Sequence, residues 1–271
     1  MQKEYGSCTV AIDGAVATIT IVPTTGVPGG ADLHWDLGRV LSNLRDDTSV
    51  RVIVLTGTGD EFYVLPGREA FAEPERWRRR ADPDGAWRTF MGIIRVHELM
   101  AAIEKPIVAR VNGNATFFGC SLVFASDLIV AVEDAMILDG HLAMGELPYG
   151  GPDFGLVTGD GGSSLVPLFM SPAKAKEFLM LSKPYTAREL AAMDVINYAV
   201  PRDQLDAKVD ELVNALLRRS AYALAWTKRT ANRYVAQAVN TTIDASVAYE
   251  MINFLQLARV GEDPMTLTSN S

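Results

Sequence analysis

The sequence predicts an α/β fold: a largely parallel sheet built from strand–helix repeats, then a helical C-terminal region. Three observations predict it. "VRVIVLTGTG" and "PIVARVNG" are continuous apolar, β-branched runs, the mark of strands buried on both faces. Segments of helical spacing stand between such runs, and parallel strands need crossover connections of that kind. After Pro167 the pattern is helical almost to the end.

Taken in order, Thr9–Ile12 and Ala15–Val22 flank Asp13-Gly14, a two-residue turn signal, and predict an antiparallel hairpin. A Gly/Pro-rich break follows. Leu33, Leu37, Val40, Leu41 and Leu44 then recur at helical spacing. Trp87 to Ile103 repeats that spacing and stops at Lys105-Pro106. "NATFFGCSLVFAS" reads as a helix entered through a tight turn, and "DLIVAVEDAMILDG" as a third strand. "SPAKAKEFLML" opens with Ser171 as N-cap and Pro172 at the first helical position. Two long helices are predicted at about 203–219 and 221–258. The pattern divides near residue 200, into a strand-and-helix core over 1–200 and a helical region over 201–271.

Composition excludes several classes of function. A net charge of −8 disfavours nucleic acid, which needs a basic face to displace counterions. The two cysteines, Cys8 and Cys120, have neither CxxC neighbours nor metal-ligand spacing, so neither a disulfide nor a metal site is expected. The opening residues lack the blocks of a signal peptide, and no apolar run has the length of a membrane span. A reducing cytoplasm is the expectation.

The common catalytic patterns fail. In "GTGDEF", Phe62 stands where a dinucleotide fingerprint needs its third glycine, and "GGSSL" is not a nucleophile elbow. Two strand-to-turn junctions remain, "TGTGDEFYVLPG" and "VNGNATFFGCSL". Outward backbone N–H groups at two converging junctions make an oxyanion hole without any side chain.

At these residues the chain resembles a known family. "KPIVARVNGNATFFGCSLVFASDLIVAVEDA" is similar to the signature of the crotonase (enoyl-CoA hydratase/isomerase) superfamily, and "VRVIVLTGTGDEF" and "GLVTGDGGSSLVPLF" resemble its other landmarks in order and spacing. The resemblance implies a ββα spiral core with a C-terminal helical trimerisation region, and homotrimers or hexamers. It places oxyanion N–H groups at Val64 and at Phe118 or Gly119. Leu65 and Phe117 replace smaller family residues and imply a bulkier, more apolar pocket.

The departures point to the chemistry. The two glutamates of the family's hydratases fall on Ser121 and on or near His141. Serine is no general base at neutral pH without a partner, so hydration by a glutamate pair is not expected. The pattern of His141 with the following "GDGG" resembles members that hydrolyse a C–C bond in a cyclic β-diketone. That resemblance makes His141 the base and Asp160 its orienting partner. An imidazole ordinarily titrates near pH 6.5, and a carboxylate on its far nitrogen fixes the tautomer.

Other assignments stay open at this level. Asp153 is a rival acid, and an acyl-CoA hydratase, isomerase or lyase using Asp153 or Asp160 is the alternative function. A binding protein that kept the fold and lost the acids is a further one. Glu146 and Tyr149 are candidate pocket residues. Asp160 is equally placed to cap a helix starting near Ser163. His34 and His97 read as surface or interface residues, Cys120 as packing, and Arg76, Arg78, Arg79 and Arg80 as a solvated face. The expected partner is a small-molecule substrate with no cofactor. Coenzyme A is not favoured because no lysine follows Arg233, although Lys228 is available in an earlier helix.

Overall fold

A computed structural model describes residues 2–22, 32–65, 83–143 and 155–259. Its elements are β1 (Gln2–Tyr5), β2 (Cys8–Asp13), β3 (Val16–Ile21), α1 (Leu33–Asp46), β4 (Val52–Gly57), β5 (Glu61–Tyr63), α2 (Pro83–Ala102), β6 (Ile107–Val111), β7 (Asn114–Thr116), α3 (Phe118–Ala125), β8 (Leu128–Val132) and β9 (Met136–Leu138). They continue with α4 (Gly162–Phe169), α5 (Pro172–Met180), β10 (Tyr185–Thr186), α6 (Ala187–Ala192), β11 (Tyr198–Val200), α7 (Leu205–Leu217), α8 (Ala221–Ala231) and α9 (Arg233–Arg259).

The strands form two sheets. One is seven-stranded in the order β1-β2-β3-β4-β6-β8-β11, the other four-stranded in the order β10-β9-β7-β5. The first sheet is parallel from β3 through β11, and the hairpin at Asp13-Gly14 adds antiparallel pairing at its edge. Successive strands alternate between the sheets: β4 then β5, β6 then β7, β8 then β9. Each pair opens one turn of a ββα spiral. The mixed α/β architecture and the helical C-terminal region follow the sequence expectation.

Every residue of β4 is buried, as its unbroken apolar run predicts. The turn at Gly14 has φ +53, a value glycine adopts without a Cβ penalty. Ser171 caps α5 by accepting the Lys174 N–H.

Three details differ from the sequence reading. "DLIVAVEDAMILDG" is two strands, β8 and β9, divided between the sheets, because a turn at Glu133–Ala135 redirects the chain. "NATFFGCSLVFAS" is a short strand plus a helix rather than a helix alone. The last predicted helix divides into α8 and α9 at Asn232, whose amide donates to the Ala101 carbonyl. No helix among the described residues is long and apolar enough to cross a membrane.

Candidate active site

The backbone leading into α3 turns at Phe117, which holds φ 52 and ψ −125, a conformation that favours glycine. Phe118 and Gly119 open α3, and amides in a helix's first turn lack intrahelical acceptors. A Cβ on Gly119 would stand 2.7 Å from Tyr63 Cβ, so the start of α3 presses on the end of β5. Val64, the next residue after Tyr63, therefore follows a segment that lies against the first turn of α3. The neighbouring Leu65 amide is engaged, donating to Thr116 Oγ1 at 3.3 Å.

Beneath this junction lies a cavity of about 50 Å³. Its walls are largely apolar, with Leu65, Phe90, Ile93, Phe117, Phe118, Leu156 and Phe254 among them. Its polar lining comes from His34, Thr89, His141, Asp160 and Glu250. The Phe117 ring packs on His141 at 4.8 Å between centroids and fills the space over Gly140, where a Cβ would lie 2.6 Å from Phe117 Cε2.

His141 is held on both sides. Its Nδ1 lies 2.6 Å from Asp139 Oδ1, which also accepts the His141 backbone N–H at 3.2 Å. Its Nε2 lies 3.5 Å from Asp160 Oδ2. Asp160 Oδ1 accepts a hydrogen bond from Ser121 Oγ at 3.0 Å. Asp139, His141 and Asp160 are all under 5% exposed, which makes this a cluster of charge inside the protein. A Cβ on Gly162 would lie 2.0 Å from Asp139 Oδ2, so this carboxylate rests at the N-terminus of α4, where unpaired amides favour an anion.

Protonation in the cluster follows from this geometry. Burial alone would lower the basicity of His141. The charges of Asp160 and Asp139, the bond to Asp139 and the charge of Glu250 outweigh it and raise His141 to about 10. Burial raises Asp160 above the usual carboxylate range, with Asp139 adding to the effect and His141 opposing it. The neighbouring carboxylates thus favour the protonated ring of His141, and burial favours a proton on Asp160.

Ligand atoms of Asp139, His141 and Asp160 lie within 4.8 Å of one another. The carboxylates nevertheless address opposite ring nitrogens. Asp139 at Nδ1 and Asp160 at Nε2 suit the ring to proton transfer.

The structure brings together His141, Asp160, Leu65, Phe117 and Phe118 around one cavity, with Ser121 bonded to Asp160 and Val64 between the wall residues Tyr63 and Leu65. Asp160 does not cap α4, since Gly161 is the N-cap and no side chain bonds there. Asp153, Glu146, Tyr149 and the arginines 76, 78, 79 and 80 lie outside the described residues. Cys120 is fully buried, in keeping with packing.

Three sequence readings are corrected. His97 is no surface residue: it is buried, its Nδ1 meets the Ile93 carbonyl at 2.8 Å, and burial lowers it to about 4. His34 lines the cavity, because the face of α1 that carries it packs on α2 at Gly92. Lys228 is not available to a nucleotide, since its ammonium is buried 2.6 Å from Asp127 Oδ2. Sequence reasoning also missed Asp139 and Glu250. Only the short Asp-x-His spacing of Asp139 and His141 could have signalled the former.

The pattern of the enoyl-CoA hydratase/isomerase family matches residues 30–257. Carnitinyl-CoA dehydratase of Escherichia coli (strain SMS-3-5 / SECEC) is 29% identical over 217 residues, covering 80% of this chain and 76% of that one. A crystal structure of an enoyl-CoA hydratase/isomerase from Mycobacterium paratuberculosis superposes with a TM-score of 0.80 at 27% identity, over 98% of each chain. A beta-diketone hydrolase from the cyanobacterium Anabaena sp. PCC 7120, bound to (S)-3-oxocyclohexyl acetic acid, shares the fold with a TM-score of 0.75. It is 20% identical, with 94% of this chain and 96% of that one covered.

Proposed function

The chain belongs to the enoyl-CoA hydratase/isomerase family, and on that premise we propose that it hydrolyses a C–C bond in a β-diketone-like substrate. One observation carries this reading. Where the family's hydratases present two glutamates, this chain presents Ser121 and His141, and the buried carboxylate opposite them is Asp160. Ser121 serves by holding Asp160, not as a base.

The buried cluster of His141 imidazolium and two carboxylates carries one net negative charge and becomes neutral on gaining a proton. The neutral His141 base expected from the sequence gives way to Asp160: two carboxylates keep His141 protonated, and Asp160 takes the proton from water. Asp139 fixes the ring through Nδ1. The hydroxide adds to one carbonyl carbon of the 1,3-diketone, and the amides of Val64 and Phe118, or Gly119, hold the oxygen that becomes an alkoxide. Collapse of the alkoxide forms the carboxylic acid and breaks the C–C bond. The electron pair passes into the second carbonyl as an enolate, and protonation at carbon completes the reaction.

The Anabaena hydrolase supports the substrate class, since its bound keto acid has the form such a cleavage yields. A second reading rests on the dehydratase relatives: an acyl-CoA lyase or hydratase using Asp160, or Asp153. Incubation with a cyclic 1,3-diketone, followed by loss of enolate absorbance, separates them. Turnover supports hydrolysis. No turnover, alongside hydration of crotonyl-CoA and a CoA-induced rise in melting temperature, establishes the second. Silence in every assay favours a non-catalytic binding protein.

Oligomerisation belongs to the same proposal. Tyr222, Trp226, Tyr234, Tyr249, Ile252 and Leu255 are exposed on α8 and α9, an apolar surface suited to packing in a homotrimer or hexamer.

A further inference from the structure

A second Asp-x-His pair repeats the geometry of the first. Asp32 is the N-cap of α1, and its Oδ1 accepts the His34 backbone N–H at 2.9 Å and lies 2.7 Å from His34 Nδ1. Asp139 Oδ1 holds the His141 backbone N–H and Nδ1 in the same manner. Both histidines line the one cavity. They rest on consecutive rings of the strained turn, His141 on Phe117 and His34 on Phe118, at centroid distances of 4.8 and 4.2 Å.

The environment of the second pair is built, not incidental. Thr89 from α2 donates to Asp32 Oδ2. Burial would raise Asp32, but the charge of His34 and the bonds from His34 and Thr89 hold it well below the usual carboxylate range. A Cβ on Gly92 would lie 2.6 Å from the His34 carbonyl carbon, so α2 seats the start of α1 against the cavity. The charged and titratable groups that sense His34 are Asp32, Asp160 and His97. His34 Nε2 makes no hydrogen bond among the described residues.

Cleavage of a 1,3-diketone needs two proton movements at different atoms. One proton leaves water at the His141–Asp160 pair, and another must reach the carbon that inherits the C–C electron pair. We infer that His34, held by Asp32, is the general acid that protonates the enolate carbon. This rests on the proposed hydrolysis. The imidazolium Nε2–H forms the new C–H bond and returns His34 to the neutral ring. Solvent then reprotonates His34 and takes the proton left on Asp160, so one water is consumed per bond cleaved.

The test is exchange of the hydrogens α to the product ketone in D₂O, followed by NMR. That exchange reverses the carbon-protonation step and needs no attacking water. In His34→Gln, exchange and diketone kcat both fall by roughly 100-fold, the scale of a lost general acid. Asp32→Asn keeps an N-capping side chain but removes the charge. It lowers kcat about tenfold with KM unchanged and the melting temperature near wild type. Wild-type rates of exchange in His34→Gln, with the parent enzyme hydrolysing diketone, overturn the inference and leave the hydrolase reading intact. A parent enzyme inert toward diketone overturns the hydrolase reading instead. Exchange of the ketone that still depends on His34 then upholds the proton donor, and exchange no faster than buffer removes it too.

Discussion

Asp139 Oδ1 receives both the backbone N–H and the ring Nδ1 of His141, two residues further along, at 3.2 and 2.6 Å. The ring is thereby fixed with Nε2 toward the cavity and Asp160. Asp139→Asn removes a charge that helps keep His141 protonated and weakens the bond that orients its ring. The expected outcome is a kcat lower by about 10²–10⁴-fold with KM little changed, measured with the diketone.

The same cluster sets the pH response. Activity requires Asp160 ionised and His141 protonated. The kcat profile falls on the acid side at a pH above the ordinary carboxylate range, because burial raises Asp160. It falls on the basic side as His141 deprotonates near pH 10. A basic limb near pH 6–7 contradicts the two-carboxylate environment.

Stability carries the same signature. The folded state binds the His141 proton more tightly than the unfolded state does, so the contribution is complete below pH 6.5 and lost as pH rises to about 10. Melting temperature measured against pH therefore declines more steeply across that window in the parent chain than in His141→Gln.

Gly140 has the Phe117 ring where a side chain would stand. Gly140→Ala forces that ring off His141, at a cost of about 1–3 kcal/mol in stability by overpacking. Denaturant unfolding measures the cost, and kcat falls because the ring that orders the pocket floor has moved.

Lys228 is bound to Asp127 Oδ2 and to the Lys105 carbonyl, joining α8 to the edge of the core. Lys228→Ala leaves Asp127 without its ammonium and costs about 3–5 kcal/mol, read by urea unfolding. A nucleotide-binding lysine would change KM for a CoA thioester with the melting temperature unmoved.

Much of this fold is legible in the sequence. The unbroken β-branched run of β4, the Asp13-Gly14 turn and the Ser171 cap are local rules that the structure obeys. Sheet membership is not local. Nothing in the periodicity of 128–138 says that β8 and β9 part into different sheets. The site divides in the same way. His141 and Asp160 stand out beside family landmarks, whereas helical spacing cannot say which face of α1 or α2 meets a cavity. Helical spacing alone therefore marks His34 and His97 only as surface or interface residues. Asp139 is hidden because a carboxylate at a strand end looks like any turn acid until Gly162 brings α4 against it.

The most direct test of hydrolytic C–C cleavage is the fate of the water oxygen. A cyclic 1,3-diketone incubated with the enzyme in H₂¹⁸O, and analysed by mass spectrometry, should yield a ring-opened keto acid carrying one ¹⁸O in its new carboxyl group. The rate should collapse in Asp160→Asn. Recovery of intact diketone while the same preparation hydrates crotonyl-CoA would contradict the account.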